Sequence, residues 1–478
     1  MSGWRKRAMI LMSLFWIPAC TQTVEIDDSQ GDFELVRFVE MRMNQELDPP
    51  NGPLTLSRAI EEAISVSPEL EQIQRRIEAA DQLVRQAEAA FFPRLIFSEG
   101  FQVTDNPVLS LMHIINQRRL KVGTDFNDPG RQQDIRSSVT GSWSVFEGGV
   151  RLRRRLAAIH SMEARKAELL AARNRLIATV SETYYRWLQA RGFIAVAQDA
   201  VNAALTNERI AQARVEAQTA LRSELMRLKS RTAEARQNLV TSRTAAQRLK
   251  AALERLIARP ISEKEVPHLE ILPSSNSLSS TISDPWELVR EALSRRPEIK
   301  AINSMIEAAR QRVAEAKGAL LPTVSVNSQF DWHSEELAGG GTSWLFSAQA
   351  TFPLFQGGLT ISRIREAQAR LKEMESKGRQ VALDVALDVY HSFLALKEAN
   401  EKLKVAAQRS KWARMALEEV RAQYRNEVVT VEALLQAEVA NSRAQASLTA
   451  ARFDVFIARA ALKRAMGEFA RWTEAKND

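Results

Sequence analysis

The chain has 478 residues, a formal net charge of +8, and only 18 Gly and 15 Pro. That length admits several domains of about 150 residues, but long stretches of Ala, Leu, Arg, Glu and Gln have the composition of long helices. The basic excess does not imply nucleic acid. Arg and Glu interleave, as in Glu163-Ala164-Arg165-Lys166-Ala167-Glu168, which marks a solvated helical face, and no aromatic-basic platform accompanies them.

Residues 1–19 read as a secretory signal peptide. Arg5-Lys6-Arg7 forms its basic start, and Ala8 to Ile17 is an apolar run of secretory length. The run is too short for a spanning helix, which needs about 20 apolar residues. No later stretch suffices, so membrane insertion would have to use strands. Ile17-Pro18-Ala19-Cys20 resembles the bacterial lipoprotein cleavage box, which makes Cys20 the candidate for lipidation; the alternative is cleavage near Ala19 with a free thiol. Thr21 after it is compatible with outer-membrane sorting. Residues 20–54 then form an N-terminal periplasmic segment.

The rest of the chain is a duplication, the pattern to be sought before any local reading. At a shift of 229, Glu62/Glu291, Ala63/Ala292, Pro68/Pro297, Ile73/Ile302 and Pro93/Pro322 coincide. Further on the shift is 209: Phe146/Phe355, Gly148-Gly149/Gly357-Gly358, Val180/Val389, Leu225/Leu434 and Leu253/Leu462. The difference of 20 places one insertion between residues 103 and 137 of the first half. The first repeat covers 55–258 and the second 286–467. A Pro- and Ser-rich linker, 259–285, separates them, and a tail, 468–478, follows.

Each repeat has one plan. A helix (55–92, or 286–321) ends at Pro93 or Pro322, because proline stops a helix before it. A strand, a loop and a second strand follow. Gly148-Gly149, or Gly357-Gly358, then permits the sharp turn into a long helix, and a last helix closes the repeat. The strands alternate. Val324, Val326, Phe330 and Trp332 oppose Thr323, Ser325, Asn327, Gln329 and Asp331; Trp344 and Phe346 oppose Leu345 and Ser347; Val139, Trp143 and Val145 oppose Ser138, Thr140 and Ser144. Strands of about 10 residues with aromatics near their ends match a membrane barrel, whose smallest form has about 8 strands. Four strands cannot close one, and open edges are not tolerated in lipid, so several chains must share one barrel, and three copies would give twelve strands. The insertion, 104–136, is then an extracellular loop, at the end away from the helices.

The long helix, Val150 to Arg214, would span roughly 98 Å, close to that of the two shorter helices beside it stacked end to end. Leu152, Leu156, Ile159, Leu176, Val180, Tyr184 and Trp187 supply its coiled-coil seam, and frequent Ala allows close approach. Arg151 and Arg153 to Arg155, after the strands, read as a solvated cluster, with anionic headgroups as the alternative partner. Cys20 is the lone cysteine, and the histidines at 113, 160, 268, 333 and 391 are scattered. Neither a phosphate loop nor a nucleophile turn is present. No catalytic, cofactor or metal residue is assigned.

The chain resembles the TolC family of outer-membrane efflux proteins over nearly its whole mature length. The carrying features are Phe91-Phe92-Pro93 and Leu320-Leu321-Pro322 entering the strands, and Val145-Phe146-Glu147-Gly148-Gly149 and Leu354-Phe355-Gln356-Gly357-Gly358 leaving them. A third is the hairpin tip from Tyr424 through Thr430 to Leu435. The resemblance implies a mostly α fold with a small β part and a homotrimer with a twelve-stranded barrel in outer-membrane lipid. It implies a periplasmic helical tunnel that meets an adaptor protein and an inner-membrane transporter of RND, ABC or MFS type, in efflux or type I secretion. Tip and gate candidates are Gln218, Glu224, Tyr424, Glu427, Glu432 and Gln436. The family usually carries Gly where Gln218 and Glu427 stand. Its two gate acids fall on Ala433 and Gln436, and in the first repeat on Glu224 and Arg227, so an acidic gate does not carry over. Rival readings are a periplasmic adaptor, which has one helical hairpin rather than two, and a structural coiled-coil envelope protein, which leaves the strands unexplained.

Overall fold

The computed structural model describes residues 52–267, 284–336, 339–426 and 428–471, all within one compact unit, 49–478. The proposed signal peptide and Cys20 lie outside the described residues, as do most of residues 20–54, the linker from 268 to 283 and the tail from 472.

The first helix of each repeat is two helices. α1, Leu56–Val66, is followed by α2, Pro68–Ala89, with Ser67 capping the junction. Pro68 occupies the first turn, where the absent N–H costs nothing and the preceding residue is driven out of helical geometry. The second repeat does the same at Pro297. α2 ends at Ala89, short of Pro93.

β1, Arg94–Thr104, and β2, Gln132–Glu147, pair antiparallel. The insertion between them is not only a loop. It contains a helix, α3, Pro107–Asn116, started by Asn106, whose side chain accepts from the N–H groups of Val108 and Leu109. Residues 132–136, expected as loop, extend β2.

After the strands comes α4, Val150–Glu216, and then α5, Arg222–Ile257. In the second repeat, α6, Pro285–Arg295, and α7, Pro297–Gly318, lead to β3, Thr323–Ser334, and β4, Gly341–Thr351. α8, Leu359–Arg425, and α9, Val431–Ala465, complete it. α4 and α8 have 67 residues each, about 100 Å of helix. α4 packs against α2 along one stretch and α5 along another, and α8 likewise against α7 and α9, so one long helix lies beside two shorter ones. Among the described residues no helix is long and apolar enough to cross a membrane.

Duplicated positions share their burial. Val180 and Val389 are both buried, as are Leu225 and Leu434, and Leu253 and Leu462. The main core gathers Ile60, Ile177, Val180, Trp187, Leu253 and Phe453 from α1, α4, α5 and α9, each worth about 1.5–3 kcal/mol when fully buried. Tyr184 donates from this core to the carbonyl of Leu54 at 2.9 Å. The seam nearer the strands differs from expectation. Leu152 is exposed, and buried Ala157, Ala164, Ala171 and Ala178, seven residues apart, let neighbouring helices approach closely.

The start of the linker is also ordered. Arg259 donates to Glu62 at 2.9 and 3.0 Å and to Glu265 at 2.9 and 3.0 Å, while Arg58 reaches Glu265 at 2.8 Å. Glu265 also accepts from the Ser262 N–H at 3.1 Å. Burial disfavours its charge, but the hydrogen bonds and charges of Arg259 and Arg58 outweigh that and hold its carboxyl below the ordinary range.

Candidate functional site

The four strands form one sheet in the order β1-β2-β3-β4, and its faces differ. Phe97, Val139, Phe330 and Trp344 lie in register across all four strands. Leu95, Trp143, Val326 and Phe346 share their face, with Glu99 towards the loop end. Trp344 is 78% exposed in the single chain, so this apolar face has no partner within the chain. The opposite face carries Ser98, Ser138, Asp331 and Ser343 in one row and Ser142, Asn327 and Ser347 in another, with Ile96 and Leu345 as apolar exceptions on the outer strands. A β-bulge between Ser144 and Phe146 resets the alternation. Phe146, not Val145 as expected, is therefore in register with Val324 on the apolar face.

The glycine pairs turn the chain from strand to helix as expected. Gly148 and Gly149 have φ of 62° and 79°, and Gly357 and Gly358 of 59° and 84°. A Cβ at Gly148 would stand 2.2 Å from the carbonyl oxygen of Gly318, so space as well as φ demands glycine. Pro93 and Pro322 each lie between helix and strand.

Of the arginines beside this turn, Arg153 and Arg154 are exposed, as a solvated cluster requires, whereas Arg151 is not. Arg151 is buried, donating to the carbonyls of Ala90 at 2.9 Å and Val145 at 3.0 Å over the Phe91 ring. Arg153 donates to Gln311, Arg154 pairs with Glu315 and Arg155 with Glu88. They fasten α4 to α2 and α7.

At the far end of the helices, the tips of the two hairpins (α4–α5 and α8–α9) are joined. Tyr424 is buried and donates its hydroxyl to the Glu224 carboxylate. Burial first, and then that hydrogen bond, push its phenol up to about 12, so it stays a donor at neutral pH. The Arg214 guanidinium sits 5.1 Å over the Tyr424 ring and donates to the carbonyl of Arg425 at 3.2 Å. Arg227 pairs with Glu432 at 3.1 Å. Beneath these contacts Ala211, Leu225 and Leu228 pack with Val431 and Leu435.

Of the tip candidates, Glu224, Tyr424 and Glu432 are thus brought together. Gln436 is exposed and takes no part in these contacts. Gln218 has φ of 58°, the left-handed conformation that explains why glycine suits this turn. Glu427 lies outside the described residues.

Two clusters escaped the sequence reading. Glu438, one turn beyond Leu434, is buried and accepts from Asn207 at 2.6 Å and Arg421 at 3.1 Å; an acid on the seam of α9 was its only signal. At the loop end of the strands, His333 contacts Asp134 at 2.7 Å and His113 approaches the same oxygen at 3.5 Å. These histidines are 220 residues apart in sequence, so spacing gave no hint. Among the described residues no group of three or more His, Cys, Asp or Glu is placed to hold a metal ion.

Comparison with known proteins agrees with this geometry. A family model described as "Outer membrane efflux protein" matches residues 59–259 and 288–468. Protein CyaE of Bordetella pertussis is 26% identical over 357 residues, 72% of this chain and 70% of that protein. The pyoverdine export outer membrane protein OpmQ of Pseudomonas putida is 23% identical, covering 69% of this chain and 70% of its own. Among solved structures, the outer membrane protein VceC of Vibrio cholerae superposes with a TM-score of 0.73 at 19% identity, covering 86% of this chain and 96% of that one.

Proposed function

The chain belongs to the outer membrane efflux protein family, and on that premise we propose that three copies close one twelve-stranded barrel and that the joined hairpin tips form its periplasmic gate. The protein is an exit duct of the outer membrane with a periplasmic helical tunnel, and its family and fold are those of channel proteins. One observation carries the shared barrel, and the family's TolC-like fold supports three copies: a four-stranded sheet presents an unpartnered apolar face and two open edges, which lipid does not tolerate. Sharing strands removes the edges, turns the apolar face to lipid and the polar face to a lumen.

The gate reading rests on Tyr424–Glu224 and Arg227–Glu432, which tie the second hairpin to the first at the tunnel entrance. Opening the entrance requires the hairpins to separate, and both pairs oppose separation. The partners in this reading are a periplasmic adaptor docking on the tip and an inner-membrane transporter of RND, ABC or MFS type behind it, serving efflux or type I secretion. Cys20 carries a lipid anchor, with the barrel as the main hold on the membrane. Residues 55–258 and 286–467 act as equivalent repeats, and the chain performs no catalysis and needs no cofactor.

The test is photo-cross-linking in living cells from the exposed Leu221 at the first tip. Capture of a periplasmic adaptor supports the reading. Capture of no envelope protein by an assembled duct, while a control position reports efficient photochemistry, contradicts it.

A further inference from the structure

Helix α3, the inserted piece between β1 and β2, folds back onto the polar face of the sheet. Its Ser110, His113 and Ile114, with Gln117 just beyond its end, are buried and fall on one side at helical spacing. Gln117 donates to Asp134 at 2.9 Å and to the carbonyl of Gln133 at 2.7 Å. His113 and His333 flank the same carboxylate. Arg118 donates to the carbonyl of Thr342, and Arg119 pairs with Glu335 in the turn after β3. A Cβ at Gly341 would lie 2.0 Å from the carbonyl oxygen of Asn116: the end of α3 rests on bare backbone.

The other side of α3 is apolar and uncovered. Val108, Met112 and Ile115 form a stripe at spacings of four and three, with Leu109 beside it, and all are exposed in the single chain. The stripe points away from the polar face, hence towards the barrel axis. An apolar stripe facing a water-filled lumen is unfavourable unless something covers it.

The dimensions identify the cover. Twelve strands spaced about 4.8 Å apart and tilted about 40° make a barrel of radius about 12 Å. Three helices touching around a three-fold axis at 8–10 Å separations have their axes about 5 Å from it. Each then lies about 7 Å from the wall, which demands small wall residues such as Gly341.

We propose that the α3 helices of the three copies meet on the barrel axis through Val108, Leu109, Met112 and Ile115, forming an apolar plug that seals the outer mouth of the duct. This rests on the trimeric barrel proposed above. The plug is a second barrier, remote from the periplasmic tip, and it works by excluding water and ions from an apolar constriction. Asp134, His333 and Gly341 seat it against the wall.

The test reads access to the lumen from outside, which the periplasmic gate does not affect. Gln349, on the polar face near the helical end of β4 and exposed, is replaced by Cys in the full chain. Intact cells are treated with a membrane-impermeant maleimide, and labelling of the parent chain is subtracted. Gln349→Cys is protected in the otherwise native protein, and adding Met112→Asp with Ile115→Asp speeds its labelling by at least about tenfold, because charges flood the constriction. Rapid labelling of Gln349→Cys without those changes, or equal protection with them in an assembled trimer, overturns the plug. If the double variant does not assemble, Met112→Cys in the native background decides: oxidation gives a disulfide-linked dimer, and its absence from a correctly assembled trimer overturns the plug. Val122→Cys, fully exposed beyond α3, reports on the underlying reading. If it resists the external reagent, or the chain is not trimeric, the barrel assignment fails rather than the plug.

Discussion

Replacing Tyr424 by Phe removes a single hydroxyl from the tip and leaves the ring, its burial and its contact with Arg214 in place. A hydrogen bond to a charged group contributes about 1.5–3 kcal/mol. Glu224 is half-buried and is hydrated once the hairpins part, so the lower end applies, about 1.5 kcal/mol or about tenfold in the unlatched population of each chain. Three chains share one aperture, and the effect multiplies where all must release. Single-channel recording in planar bilayers should therefore show a higher open probability for Tyr424→Phe and for Glu224→Gln. The double variant should add little to either single change, because both remove the same bond. Unchanged opening in Tyr424→Phe, or fully additive effects in the double variant, would refute the latch.

Two further outcomes follow from charge placement. With Ala433 and Gln436 where gate acids would stand, and Glu432 neutralised by Arg227, the native channel should resist block by trivalent cations from the periplasmic side; Ala433→Asp with Gln436→Asp should create strong block by concentrating six carboxylates in one mouth, and block of the native channel at micromolar cation would contradict this. The Glu265 carboxyl is held below its ordinary range, so its contribution to stability is present above the unfolded value of about 4.3 and is lost as pH falls through the folded one. Glu265→Gln should cost about 3 kcal/mol at neutral pH by leaving Arg259 underpaired, read as a lowered thermal midpoint that falls less on acidification than the native one; identical acid profiles would dismiss the network.

What the sequence disclosed was local. Pro93 and Pro322, the Gly148-Gly149 and Gly357-Gly358 turns and the strand alternation each act through their own backbone, so their consequences are legible residue by residue, although the same logic at Pro68 and Pro297 was passed over. The duplication added confirmation, since Val180 and Val389 carry one burial twice. What stayed hidden depends on distant partners. Nothing near Arg151 announces the carbonyl of Ala90, and nothing near Arg259 announces Glu62. Val145 misled because a bulge changes strand parity without a sequence mark. Helix α3 was missed because the insertion has no counterpart in the second repeat, and its two faces acquire meaning only once β2 and β3 are paired. At the tip, Tyr424 and Glu224 were singled out one at a time, but their bond required both hairpins in place.

The most direct test of the duct is the mass of the full-length mature protein extracted from outer membranes in mild detergent, measured with the detergent contribution resolved. The account predicts a stable assembly of three chains that needs detergent to stay in solution. A monomer, or a trimer that remains soluble in water alone, would contradict it.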